Sequence, residues 1–278
     1  MKAPARVAAI HDMSGFGRCS LTVVLPVLGA MGAHCCPLPT AFLSAQTAFP
    51  KSDRAVFLDM TDQLERTGSH WQELDARFDA IYSGFLGSET QIGLIGEFIG
   101  KFRTENTLVV VDPVMGDWGK PYRTYTPDLC RRMGELAEHA DLVTPNLTEA
   151  AILLGEEYDP APHEDKVQAW LERLSLKGTR SVVITGVSHG EGTVGAACFD
   201  RERGEFSMPV AERVPGEYAG TGDLFASVML GSLLRGQCLH DAAGLAVQFV
   251  QKCAAFTRSL EGDWREGVMF ERLLKDLM

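Results

Sequence analysis

Gly220-Thr221-Gly222-Asp223 runs straight into the helical pattern Leu224-Phe225-Ala226-Ser227-Val228-Met229-Leu230. Paired glycines let a backbone turn tightly and gather successive N–H groups at a helix N-terminus, where the helix dipole favours negative charge. That is the make-up of an anion hole. An aspartate in the same turn stands where it could take the proton of an alcohol attacking phosphorus. A plainer reading stays open beside it: the glycines end a loop and Asp223 caps the helix.

Other chemistry-bearing segments are His11-Asp12-Met13-Ser14-Gly15-Phe16-Gly17, Ser44-Ala45-Gln46-Thr47, Asp112-Pro113-Val114-Met115-Gly116-Asp117 and Pro145-Asn146-Leu147-Thr148-Glu149. No G-x-x-x-x-G-K-[ST] occurs, which argues against a P-loop phosphotransferase. Gly15-Phe16-Gly17 lacks the third glycine of the dinucleotide fingerprint, and no acidic residue ends a second strand about twenty residues on. A phosphate-handling chain of this kind needs another architecture.

The elements that must position these residues alternate. Val7 to Ile10, Ala33 to Leu38, Ala80 to Ser83, Leu108 to Val111, Leu142 to Thr144 and Val182 to Thr185 read as strands. Cys19 to Met31, Glu89 to Arg103, Asp128 to His139, Glu164 to Leu176, Leu224 to Leu234, Asp241 to Leu260 and Gly267 to Leu277 read as helices. Such alternation predicts an α/β fold with a mostly parallel sheet covered on both faces. The continuously apolar Leu108–Val111 and Val182–Ile184 belong at its centre. Gly195 to Phe199 and Glu205 to Val210 predict a hairpin near an edge. No linker or internal repeat divides the chain, so a single domain over residues 1–278 is expected. In open α/β sheets ligands sit outside the carboxyl ends of the strands, where the segments singled out above fall.

Composition narrows the partners. With 278 residues, 45% hydrophobic and 23% charged, the chain can bury a sizeable core. A net charge of −11 without a Lys/Arg run excludes the basic footprint of a nucleic-acid binder. Phosphate must then be handled locally, by amides, a metal ion or a few placed cations. The seven cysteines are scattered and form no C-x-x-C pair, so they read as reduced thiols. Neighbouring Cys35 and Cys36 lie in an extended-looking stretch and should face opposite ways. Neither the residues from Met1 to Arg6 nor any apolar stretch has the length of a signal or a membrane span, so the expectation is a cytoplasmic protein off the membrane.

A-G-T-G-D-L-F-A at 219–226 resembles the late G-T-G-D signature of the ribokinase-like superfamily. D-P-V-M-G-D at 112–117 and T-P-N-L-T-E at 144–149 are similar to its pyridoxal kinase branch. The likeness covers nearly the whole chain in order and spacing. It implies a three-layer α/β/α sandwich and Mg-ATP-dependent phosphorylation of the 5′-hydroxymethyl group of pyridoxal, pyridoxamine or pyridoxine. It further implies that Asp223 is the catalytic base in an anion hole of Gly220, Thr221 and Gly222, and that Asp112, Asp117 and Glu149 hold Mg²⁺, directly or through water. Tyr125, Thr144, Asn146, Thr185 and Gly186, together with Asp112 and Glu149, fall on the ATP side, and Ser44 and Thr47 on the pyridine side. Met115 to Pro127 matches a loop that folds over ATP. A homodimer is implied, and a K⁺ requirement is left open.

The pattern departs at the first strand, where pyridoxal kinases read I-Q-S-H-V and this chain reads Ile10-His11-Asp12-Met13-Ser14-Gly15-Phe16-Gly17. D-x-S-G there is similar to hydroxymethylpyrimidine kinases, which carry D-P-S-G-G-A-G, although the cysteine many of them place after G-T-G is Asp223 here. Asp12 and Ser14 are therefore candidates for substrate contact. A carboxylate at position 12 would favour the aminomethyl group of pyridoxamine or a ring nitrogen; alternatively the pair only fixes the loop. Phe85, where many pyridoxal kinases have tyrosine, keeps a stacking face and loses a hydroxyl. Hydroxymethylpyrimidine kinase, a sugar kinase and a catalytically silent nucleotide-binding regulator are the competing readings.

Overall fold

The computed structural model describes residues 3–50, 52–123, 125–176, 181–260 and 262–278. Its strands are β1 (Arg6–Ser14), β2 (His34–Leu43), β3 (Phe57–Asp59), β4 (Ala80–Ser83), β5 (Leu108–Val111), β6 (Gly116–Asp117), β7 (Lys120–Pro121), β8 (Leu142–Val143), β9 (Ser181–Val187), β10 (Thr193–Asp200), β11 (Glu205–Ser207) and β12 (Val210–Glu212). Its helices are α1 (Leu21–Ala30), α2 (Thr61–Glu73), α3 (Glu89–Phe102), α4 (Pro127–Ala137), α5 (Leu147–Leu154), α6 (Glu164–Leu176), α7 (Thr221–Leu234) and α8 (Leu239–Arg258).

Ten strands form one sheet in the order β11-β10-β9-β8-β5-β4-β1-β2-β3, with β12 also on β10. The run β9-β8-β5-β4-β1-β2 is parallel, and the two ends are antiparallel. As the apolar runs require, β5 and β9 are flanked on both sides, and Val109–Val111 and Val182–Ile184 are fully buried. One face packs Ile81, Val109 and Val111 against α3 to α6, and the other packs Ala9, Tyr82 and Val110 against α1, α7 and α8. In α3 the burial of Ile92, Ile95, Ile99 and Phe102 follows helical spacing, and Ser88 caps its start by accepting the Gln91 amide. No helix among the described residues is long and apolar enough to cross a membrane.

Several expectations are corrected. Gly267 to Leu277 is not an α-helix: only Glu271–Leu277 coils, as a 3-10 turn, after a shorter one at Trp264–Glu266. The edge hairpin breaks at Pro209, which has no amide to donate; its carbonyl instead accepts from Ala196, and β12 then pairs with Thr193–Gly195. The first helix begins at Leu21 rather than Cys19. α2 escaped the periodicity because Leu64 and Gly68 are its only buried residues. α5 escaped because its sequence reads as a motif, although Asn146 and Glu149 form a complete capping box.

Candidate active site

The site is assembled at the carboxyl ends of neighbouring strands. Val111 of β5 pairs with Ser83 of β4 and Val143 of β8, so Asp112 and Thr144 emerge side by side. Asn146 bridges to Thr185 at the end of β9. Opposite them, α7 begins at Gly220, whose φ of 76° and lack of a β-carbon are both needed: a side chain there would collide with the Arg18 carbonyl oxygen. No side chain caps this terminus. The first-turn amides of Thr221, Gly222 and Asp223 therefore have no partner within the helix. The Thr221 hydroxyl is turned away, donating to the Tyr218 carbonyl at 3.2 Å.

Asp223 is half-buried, and its Oδ2 accepts the Ser20 amide at 2.8 Å. Burial and then the Asp12 carboxylate push its pKa up to about 7, against the pull of that amide. Asp112 is pushed up to about 8 by burial and by the charge of Asp223. Glu149 is also raised, by burial and then by Asp112. Mutually repelling, desolvated carboxylates of this kind form an anionic floor that a cation would relieve.

Glu149 is engaged on both oxygens: Oε2 accepts the Asn146 amide at 2.8 Å and Oε1 the Met115 amide at 3.0 Å. Asn146 reciprocates by accepting from the Glu149 amide and donating to the Gly116 carbonyl, both at 2.9 Å. Thr148 accepts the Gly119 amide at 2.9 Å, so the β6–β7 hairpin is pinned along α5. Asp117 lies exposed on that hairpin with Oδ1 accepting the Trp118 amide. Among the described residues, no three His, Cys, Asp or Glu side chains gather as a metal site. A hard cation bound here would need phosphate oxygens and water as further ligands.

Tyr125, expected on the nucleotide side, is buried with its hydroxyl donating to the Leu86 carbonyl at 2.8 Å. Its ring lies 6.0 Å from that of Phe85, so both belong to one wall. Thr124 of the expected ATP loop lies outside the described residues. Thr185 is half-buried, and Gly186 is exposed with φ 79°. Ser44 is tied to Val56, its Oγ accepting that residue's amide at 2.9 Å, and Thr47 is exposed in the turn that follows. Asp12 is buried, taking the Ser14 hydroxyl on Oδ2 at 3.1 Å and the Ser20 hydroxyl on Oδ1 at 2.5 Å.

Sequence reading gave no role to Ser20, nor to His11 and Gln46 within the segments it singled out. Ser20 precedes an apolar helical run, which marks a helix cap and nothing more. His11 is fully buried with neither ring nitrogen partnered, and burial pushes it down to about 3, so it sits neutral beside Tyr82. Gln46 locks two loops: its amide donates to the Phe16 carbonyl and its side chain to the Arg265 carbonyl.

A family model described as phosphomethylpyrimidine kinase matches residues 10–265. A pyridoxine/pyridoxal/pyridoxamine kinase of Bordetella avium (strain 197N) is 29% identical over 262 residues, 91% of this chain and 85% of that protein. A phosphomethylpyrimidine kinase candidate of Bacteroides thetaiotaomicron VPI-5482, crystallised with pyridoxal, is 40% identical with a TM-score of 0.94, covering 99% of this chain and 96% of that one. Pyridoxal kinase from Lactobacillus plantarum is 32% identical with a TM-score of 0.89, over 98% and 96% of the two chains. Matched by the family model along most of its length, and folded like these proteins from end to end, this chain belongs to the phosphomethylpyrimidine kinase family.

Proposed function

We propose that the chain is an ATP-dependent kinase that phosphorylates the 5′-hydroxymethyl group of pyridoxal, pyridoxamine or pyridoxine. The observation that carries it is the placement of Asp223 in the first, uncapped turn of α7. Amides of Gly220, Thr221 and Gly222 hold the transferring phosphoryl, and the Asp223 carboxylate takes the proton of the vitamin's alcohol as it attacks. With its pKa near 7, Asp223 is both available as a base and strong enough to be useful at neutral pH. The kinase name of the Bordetella relative and the pyridoxal in the Bacteroides crystal support this substrate class.

Thr144, Asn146, Thr185 and Gly186 receive ATP in this reading, and Tyr125 stands in the wall it shares with Phe85. Asp12, Ser14, Ser44, Thr47 and Phe85 face the vitamin. Asp112, Glu149 and Asp117 hold Mg²⁺, the first two because they are crowded, buried carboxylates, and Glu149 through water because both of its oxygens already accept amides. Mg²⁺ supplies neutralisation of the phosphate charge when bound. A monovalent ion such as K⁺ would relieve the same anionic floor. The protein works in the cytoplasm in this reading, and its assembly as a homodimer is supported by Phe57 and Leu58, which stand exposed on the edge strand β3.

The test is a phosphorylation assay with Mg-ATP across pyridoxal, pyridoxamine, pyridoxine and hydroxymethylpyrimidine. Turnover of a B6 vitamer is the expected result. Turnover of the pyrimidine alone would move the chain to thiamine synthesis, the second reading favoured by the matched family model.

A further inference from the structure

Ser20 touches both Asp12 and Asp223. It is 7% exposed and closes the loop before α1 with φ 50° and ψ −133°, a region that side-chain-bearing residues adopt at a cost. From the N-cap position a serine hydroxyl ordinarily accepts an amide of the first helical turn. Here it makes no such bond. Its hydroxyl donates to Asp12 at 2.5 Å, and its amide donates to Asp223 at 2.8 Å, so one residue joins the buried Asp12 carboxylate to the half-buried Asp223 carboxylate.

Surrounding bonds hold this unusual backbone in place. The Arg18 amide donates to the Glu266 carbonyl at 2.8 Å, and the Arg18 carbonyl lies against Gly220 and Gly267, where no β-carbon could fit. The Ser20 carbonyl accepts the amides of Val23 and Val24, each at 2.9 Å. Charged or titratable groups facing Asp223 are Asp12 from β1, Asp112 after β5, Cys19 before α1, Tyr82 from β4 and Tyr122 beyond the hairpin. Repulsion from Asp12 and Asp112 would turn a free Asp223 carboxylate aside. An amide on one of its oxygens fixes the rotamer and leaves the other oxygen for a substrate hydroxyl.

We propose that Ser20 is a positioning residue for phosphoryl transfer: its hydroxyl, anchored on Asp12, keeps the backbone turned so that its amide fixes the Asp223 carboxylate at the open end of α7. The consequence for turnover rests on the kinase reading above, whereas the bridge itself is read directly.

The test uses the Asp12→Asn protein as background, because asparagine still accepts the Ser20 hydroxyl but carries no charge to confuse the titration. Carboxyl ¹³C NMR follows Asp223, its signal assigned with Asp223→Asn, while kcat for pyridoxal and Kd for ATP are measured in parallel. Adding Ser20→Ala is expected to raise the Asp223 midpoint, to lower kcat on the order of tenfold, and to leave Kd for ATP unchanged. Adding Ser20→Gly instead should recover most of kcat, since glycine reaches the same φ freely. An unchanged midpoint and kcat in Ser20→Ala, with only Tm lowered, would reduce Ser20 to a helix cap and overturn the proposal. A shifted midpoint, together with a wild-type protein that turns over no B6 vitamer, would uphold the bridge and sink the kinase reading instead.

Discussion

Oε1 of Glu149 accepts the Met115 amide at 3.0 Å, so the residue that completes the cap of α5 also anchors the entry to the β6–β7 hairpin. Glu149→Ala removes both functions. It should cost about 1–2 kcal/mol in a thermal or urea melt, as lost caps do, and raise KM for ATP. Glu149→Gln keeps an acceptor oxygen and should restore most of the stability without the Mg²⁺ affinity.

Asp223→Ala should lower kcat by roughly 10²–10⁴-fold, the usual worth of a general base, while ATP binding by calorimetry survives. Turnover equal to wild type would remove the assigned base.

Two pH dependences of opposite sign follow from the same carboxylates. As the proposed base, Asp223 would have to be ionised, so kcat/KM should rise as pH passes through about 7. Stability runs the other way: folded-state pKa values of about 7 for Asp223 and about 8 for Asp112 lie above the unfolded value of 3.8, so the folded state binds more protons between them. Their contribution is fully present below the unfolded value and is lost as pH rises through the folded ones. Asp112→Asn should therefore raise Tm at about pH 8 and change little near pH 4, and a melt series across that window checks it.

A β-carbon on Gly84 would strike the His11 ring. Gly84→Ala should destabilise by about 1–3 kcal/mol, as overpacking does, and His11→Ala in the same chain should relieve part of that cost. A double-mutant cycle in urea reads the coupling, and strict additivity would contradict the contact.

Asp12→Ser should lower the ratio of kcat/KM for pyridoxamine over pyridoxal if the carboxylate serves the vitamin's amine. Its oxygens already accept the Ser14 and Ser20 hydroxyls, so an unchanged ratio would leave Asp12 as the holder of its loop.

The parallel core was legible because Leu108–Val111 and Val182–Ile184 are continuously apolar, and the candidate anion turn because glycines precede an aspartate at a helix start. What escaped depends on contacts distant in sequence. Nothing local in Tyr125 says that its hydroxyl reaches Leu86, and nothing in Ser20 says that Asp223 lies on its amide, 203 positions away. The exposed face of α2 hid its helix, and proline at 209 split a strand that alternation had drawn as one.

Arg18 sits between the Gly220 turn and Gly267, with its amide on Glu266. The Gly220 turn is thus braced by residues distant in sequence on either side of it, and the stretch from Arg18 through Gly267 must all be made before these parts can meet. Chains made only through β9 would carry the strands proposed to face the nucleotide yet lack the turn proposed to grip phosphate. Contacts this far apart in sequence also make closure of the centre a slow, late event in folding.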